Sequence, residues 1–117
     1  MKNKILGNIG EKIASVYLQL KGYEIVHRNF LVKGGEIDIV ALKGNVLVIV
    51  EVKTRRNNSY GDPKDAVGYN KKKRLVYAAK CYIKRYEKYD MAVRFDVVEI
   101  MPFKINHIKD AFFCDGL

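Results

Sequence analysis

The stretch Gly35–Lys53 reads GEIDIVALKGNVLVIVEVK, and its interpretation decides the fold. Two runs rich in Ile and Val, Glu36–Leu42 and Val46–Lys53, flank Lys43-Gly44-Asn45. Such residues favour strands. A two-residue Gly44-Asn45 loop suits a tight hairpin, because both residue types accept the positive φ of such turns. Both faces of each strand are apolar in the middle, so the sheet is expected to be covered on both sides. Side chains alternate along a strand. With Lys43 opposite Val46, Leu42 faces Leu47, Val40 faces Ile49, Asp38 faces Glu51 and Glu36 faces Lys53. These residues then share one face whose open end is charged. A three-residue loop would put Asp38 and Glu51 on opposite faces.

Elsewhere the chain alternates helix and strand. Asn8–Lys21 is amphipathic, with Ile9, Ile13, Val16, Tyr17 and Leu20 on one stripe and Asn8, Lys12, Ser15 and Gln19 on another. Gly22 stops it. Tyr23–Phe30 reads as a strand, and Lys33-Gly34-Gly35 turns the chain. After Lys53, Asp62 and Pro63 look like a helix N-cap and first position. That helix pauses at Gly68 and resumes from Asn70 to about Tyr86, with Leu75, Ala78, Ala79, Tyr82 and Tyr86 as its buried stripe. Arg94–Met101 is a further strand, and Lys104–Lys109 a last edge strand. The order α-β-β-β-α-β-(β) predicts an α/β fold, a mixed β-sheet flanked by helices, with a parallel pair at the helical crossover.

The 117 residues fit a single domain, 1–117, with no repeat or linker. At 49% hydrophobic the composition favours a compact globule. The net charge of +9 points to a polyanionic partner, usually nucleic acid. Cys81 and Cys114 make no disulfide framework or metal cluster. No apolar run is long enough for a membrane span, and the start does not read as a signal peptide. A cytoplasmic protein is expected.

Two carboxylates facing each other at ~4 Å repel by about 4 kcal/mol at an effective dielectric near 20. Asp38 and Glu51 therefore share a proton, splay into water, or hold a cation between them. A hard divalent ion such as Mg²⁺ suits an oxygen-rich pair that leaves room for water and a phosphate. Lys53, on the same face, adds fixed positive charge that can hold a water or stabilise a transition state. Alternatively Glu36 and Lys53 form only a cross-strand ion pair at a wet sheet end. Asp96 reads as a structural partner of Arg94 or of a backbone group, and His27 and His107 have no evident partner.

GEIDIVA followed by a hairpin and VIVEVKTR resembles the D…(D/E)-x-K signature of PD-(D/E)XK nucleases. More narrowly, the chain resembles the YraN family of small bacterial endonuclease-like proteins. The likeness runs from Gly7 to Ile100 and includes G-x-x-G-E at Gly7–Glu11, RNF at Arg28–Phe30, YGDP at Tyr60–Pro63, V-x-x-x-K at Val67–Lys71 and RFDVV at Arg94–Val98. The resemblance implies a restriction-endonuclease-like core, shared with Holliday-junction resolvases. It implies a metal-dependent nuclease using Mg²⁺ or Mn²⁺, acting on DNA before RNA, branched or structured forms included. Asp38 and Glu51 would be metal ligands, with the Val52 carbonyl as a third and Glu11 completing the site. Lys53 would be the catalytic lysine and Glu36 a supporting residue. Ile37 stands where the superfamily's proline is expected. Dimerisation is common in that superfamily, and a homodimer is compatible with this chain, although nothing in the sequence reports one. A non-catalytic nucleic-acid-binding module on the same fold is the alternative.

Basic residues follow the signature: Arg55, Arg56, Lys71, Lys72, Lys73 and Arg74, then Lys80, Lys84 and Arg85. Lys71 continues the buried stripe of its helix and is expected to aim at the carboxylates. The others suit contacts to a nucleic-acid backbone, with Tyr60 and Tyr69 placed to stack.

Overall fold

The computed structural model describes residues 2–55 and 68–112, with side chains from Gly7 onward. Arg56, Tyr60, the helix start at Asp62 and Pro63, and Cys114 lie outside the described residues. The elements are α1 (Lys2–Leu20), β1 (Glu24–Val32), β2 (Gly35–Lys43), β3 (Val46–Thr54), α2 (Tyr69–Tyr86), β4 (Ala92–Met101) and β5 (Lys104–Ile108). They form an α/β fold with one five-stranded mixed sheet in sequence order, β1-β2-β3-β4-β5. Neighbours are antiparallel except β3 and β4, which α2 connects as a parallel crossover.

Local chemistry accounts for the ends. α1 closes in a Schellman motif: Tyr23 N–H donates to Leu18 O and Gly22 N–H to Gln19 O, each at 3.0 Å, with Gly22 at φ 91. The β2–β3 turn is the expected two-residue loop, with Lys43 opposite Val46. Only Gly44 takes positive φ (58), which fits the turn type that needs glycine first. α2 ends with Glu87 in the left-handed region at φ 54.

The sheet is covered on both faces, as its apolar strands require. On the α2 face the core is Phe30, Ile37, Val40, Leu47, Ile49, Leu75, Ala78, Ala79, Tyr82 and Phe95. On the α1 face it is Ala14, Leu18, Tyr23, Ile39, Ala41, Val48, Val50, Val98 and Ile100. Two expectations are corrected. Tyr86 is not buried: it is 42% exposed and stacks obliquely on Tyr82. α1 docks through its small residues, Gly10, Ala14 and Ser15, together with Leu18, while the stripe of Ile9, Ile13, Val16 and Leu20 stays exposed. The reason is distance. A Cβ on Gly10 would lie 2.3 Å from Thr54 Oγ1, so any side chain there would have to displace the Thr54 hydroxyl at this approach to β3.

Candidate metal centre

Two adjoining ladders run to the strand ends, β1–β2 to Val32↔Gly35 and β3–β4 to Thr54↔Ile100. The β2–β3 ladder between them stops at Ile39↔Val50. Beyond that point the two central strands part, and the charged residues of GEID and EVK line the gap. The opening starts at a wrinkle. Ile37 packs on the α2 face and Ile39 on the α1 face, which strict alternation forbids. Opposite this place in β1, between Arg28↔Ile39 and Phe30↔Ile37, Asn29 adopts φ 55. Asparagine is among the few non-glycine residues that tolerate this conformation.

Within the gap, Val52 N–H donates to Asp38 Oδ2 at 2.8 Å. A side chain thus satisfies a main-chain group that the ladder leaves behind. Val52, expected as a carbonyl ligand, is tied to the site through its N–H. Glu51 is 3% exposed, with Lys71 Nζ 3.2 Å and Lys53 Nζ 3.7 Å from its Oε2. Its Oε1 is buried and accepts no hydrogen bond from any described group. Burial, with the adjacent Glu51 carboxylate, pushes the Asp38 carboxyl up to about 8.

Glu11 reaches the same place from α1. Its Oε1 is likewise buried without a hydrogen-bond partner among the described groups. Burial raises its pKa despite a hydrogen bond from Asn29 and the nearby Arg28 charge, and the charges of Glu36 and Glu51 raise it further. From the other face Lys71 lies between carboxylates, 3.9 Å from Glu36 Oε1 as well as beside Glu51. Burial lowers its pKa, but the charge and hydrogen bond of Glu51, together with the charges of Asp38 and Glu36, outweigh this and the net shift is upward. The cross-strand pair of Glu36 with Lys53 is not formed: the strands have separated by that level, and Glu36 pairs across the gap with Lys71.

These residues fit a hard divalent cation. Two buried carboxylate oxygens lack partners, and a third carboxyl is destabilised as an anion by its neighbours. Among the described residues no group of three or more His, Cys, Asp and Glu side chains is placed to hold a metal ion, so Glu11, Asp38 and Glu51 do not form a ready three-carboxylate site. A cation here would rest on one or two carboxylates with water in its remaining positions, the coordination that Mg²⁺ tolerates.

The basic residues divide. Lys71–Arg74 open α2, whose first turn carries no acidic residue. Four cations at a helix N-terminus oppose the macrodipole. The carboxylates of Glu36 and Glu51 compensate Lys71. Lys72 lies over the Phe112 ring and Lys73 over the exposed Tyr69 ring. Arg55, expected on a nucleic-acid surface, is only 17% exposed and forms an ion pair with the buried Glu99. A cleft of about 420 Å³ adjoins the site at Glu36 and Lys71, between the β1–β2 turn and Arg74.

Sequence reasoning missed Asn29, whose tolerance of positive φ was the available signal. It also missed the partner of His107, whose Nε2 lies 2.7 Å from Asp96 Oδ2. Asp96 is structural, as expected: fully buried, it also accepts from Arg94 Nε at 2.8 Å and from the Asp110 N–H at 3.0 Å. Burial alone would raise its pKa, yet the His107, Arg94 and Asp110 hydrogen bonds hold it below the usual value.

The family model for the uncharacterised protein family UPF0102 matches residues 10–100, the span that contains every site residue described above. The UPF0102 protein of Thermodesulfovibrio yellowstonii is 47% identical over 108 residues, covering 92% of this chain and 96% of the relative. That of Alkaliphilus metalliredigens is 45% identical over 113 residues, covering 94% and 99%. That of Clostridium perfringens strain 13 is 40% identical over 116 residues, covering 94% and 95%. With a family model over most of its length and relatives aligned nearly end to end, this chain belongs to the UPF0102 family.

Proposed function

We propose that this protein is a metal-dependent nuclease on a restriction-endonuclease-like core, hydrolysing phosphodiesters of nucleic acid with Mg²⁺ or Mn²⁺. The observation that carries the reading is the convergence of Glu11, Asp38, Glu51, Lys53 and Lys71 where β2 and β3 part, with two carboxylate oxygens left without partners. Most buried polar atoms in folded proteins have a hydrogen-bond partner, so such oxygens call for an explanation. The five-stranded mixed sheet with a helix on each face is compatible with a restriction-endonuclease-like core. The net charge of +9 and the basic opening of α2 support a polyanionic substrate, with DNA expected before RNA and the cytoplasm as compartment.

Asp38 and Glu51 would hold the cation, with Glu11 behind them. When bound, it supplies Lewis-acid stabilisation of the phosphate oxygens and lowers the pKa of a water. The chain's own groups do the rest. Val52 N–H fixes the rotamer of Asp38. The walls of the gap exclude water from Glu51, strengthening each electrostatic contact there. Lys53 and Lys71, both one-third exposed, face solvent and Glu51 together. Lys53 is placed to orient the attacking water, and Lys71 to hold a phosphate oxygen as negative charge builds on it.

The test compares wild type with Asp38→Asn, Glu51→Gln and Lys53→Ala on plasmid, branched, single-stranded and RNA substrates with Mg²⁺ or Mn²⁺. Cleavage by wild type that falls at least about 100-fold in each variant supports the reading. Equal cleavage by all four proteins would trace the activity to a contaminant and sink it. Binding without cleavage by wild type would favour the non-catalytic module instead.

A further inference from the structure

The apolar stripe of α1 is the largest mismatch between pattern and packing. Ile9 is 52% exposed, Ile13 39%, Val16 48% and Leu20 82%. At 100° per residue they lie about 150° round the helix from the sheet-facing residues. With Ile105 of the edge strand β5 they line an apolar groove of about 460 Å³. Contiguous exposed apolar surface of this kind marks an interaction site. The spacing of the four residues, 4-3-4, is that of a coiled-coil seam, so the groove is shaped for another helix.

We propose that this protein forms a two-fold dimer in which α1 pairs antiparallel with the α1 of a second copy through Ile9, Ile13, Val16 and Leu20. The seam is self-complementary in that direction. Ile13 meets Val16 of the other copy, and Ile9 meets its Leu20. Lys12, the cation on the groove's rim, then lies near Gln19 of the other copy rather than near a second lysine. A parallel pair would instead set the positive helix N-termini together. A chain of net charge +9 repels itself on most surfaces, and this flank, where Lys12 is the only charged residue lining the groove among the described residues, is where two copies approach most easily. The seam from Ile9 to Leu20 runs about 17 Å along the helix, so the pair buries less than the roughly 800 Å² per partner typical of specific interfaces. A micromolar dimer is expected. It would brace the helix whose opposite side carries Glu11.

Sedimentation equilibrium on the full chain from about 1 to 500 µM, at low and moderate salt, tests this. Wild type should show a monomer–dimer equilibrium, and Leu20→Glu or Val16→Lys should weaken it at least about tenfold. Because these positions are already exposed in the monomer, both variants should keep the wild-type circular dichroism and melting temperature at low concentration. Ile13→Glu combined with Val16→Lys should restore dimerisation, since each Glu then meets a Lys of the other copy only in the antiparallel register. A wild-type monomer throughout the range overturns the proposal. So does a dimer that the seam variants leave intact. Cleavage assays on the same variants are read separately, so loss of the dimer and loss of the nuclease reading are distinguishable.

Discussion

Val52 N–H donates to Asp38 Oδ2 at 2.8 Å, just past the last β2–β3 pair, Ile39↔Val50. One carboxylate therefore closes the ladder and faces Glu51. Asparagine keeps the acceptor and removes the charge, so it separates the two roles. Without divalent cation, the folded state keeps the Asp38 proton up to about pH 8, whereas the unfolded chain releases it near 3.8. Stability from this group is present below pH 3.8 and is lost as pH rises through about 8. Asp38→Asn should flatten that decline and stabilise the metal-free protein by about 1–3 kcal/mol at pH 8 and above. Urea denaturation in EDTA from pH 5 to 9 measures both curves.

Divalent cations should reverse the penalty. At a Mg²⁺ or Mn²⁺ concentration ten times the dissociation constant, binding to the folded state adds about 1.4 kcal/mol. For a domain of this size that raises the melting temperature by about 4–8 °C. The increment should vanish in Asp38→Asn and Glu51→Gln, and thermal denaturation titrated with each metal reports it.

Gly10 sets how closely α1, and hence Glu11, approaches the strands. The Cβ of Gly10→Ala would meet Thr54 Oγ1 at 2.3 Å, with Thr54 Cβ at 3.6 Å. A cost of about 1–3 kcal/mol is expected, together with weaker metal binding as Glu11 withdraws. Combining it with Thr54→Ala removes the clashing atom. A double-mutant cycle should then show favourable coupling of about 1 kcal/mol or more.

Gly35 plays the corresponding part for α2. A Cβ there would lie 2.4 Å from Arg74 O and 3.1 Å from Ala78 Cβ. Backbone cannot rotate away as the Thr54 hydroxyl can, so Gly35→Ala should cost more than Gly10→Ala, about 2–4 kcal/mol. Lys71, one turn before Leu75, would shift with the helix. Denaturation midpoints of the two glycine variants, compared at equal slope, check the ranking.

Away from the site, Asp96→Asn should destabilise by about 2–4 kcal/mol at neutral pH, because Arg94 and His107 lose a shared buried anion. The native Asp96 pKa is depressed, so its contribution is present above pH 3.8 and is lost only as pH falls below that value. Chemical denaturation of wild type and variant should therefore converge on acidification.

The strands and their pairing were legible because the information is local. The Ile/Val runs, a two-residue Gly44-Asn45 loop and the alternation of side chains determine the hairpin register without reference to the rest of the molecule. Lys71 was legible for the same reason, since helical spacing alone aims it inward. What only the tertiary structure decided depends on groups far apart in the chain. The parting of β2 from β3 coincides with Asn29 at φ 55 in β1, while each of the two strands stays paired with its outer neighbour. It turned an expected Glu36–Lys53 pair into Glu36–Lys71 and let Glu11 in from the other face. Likewise the sequence determined that α1 is amphipathic, but not which stripe would meet the sheet. Close packing on β3 admits Gly10, Ala14 and Ser15 and excludes the branched side chains, so the larger stripe faces outward.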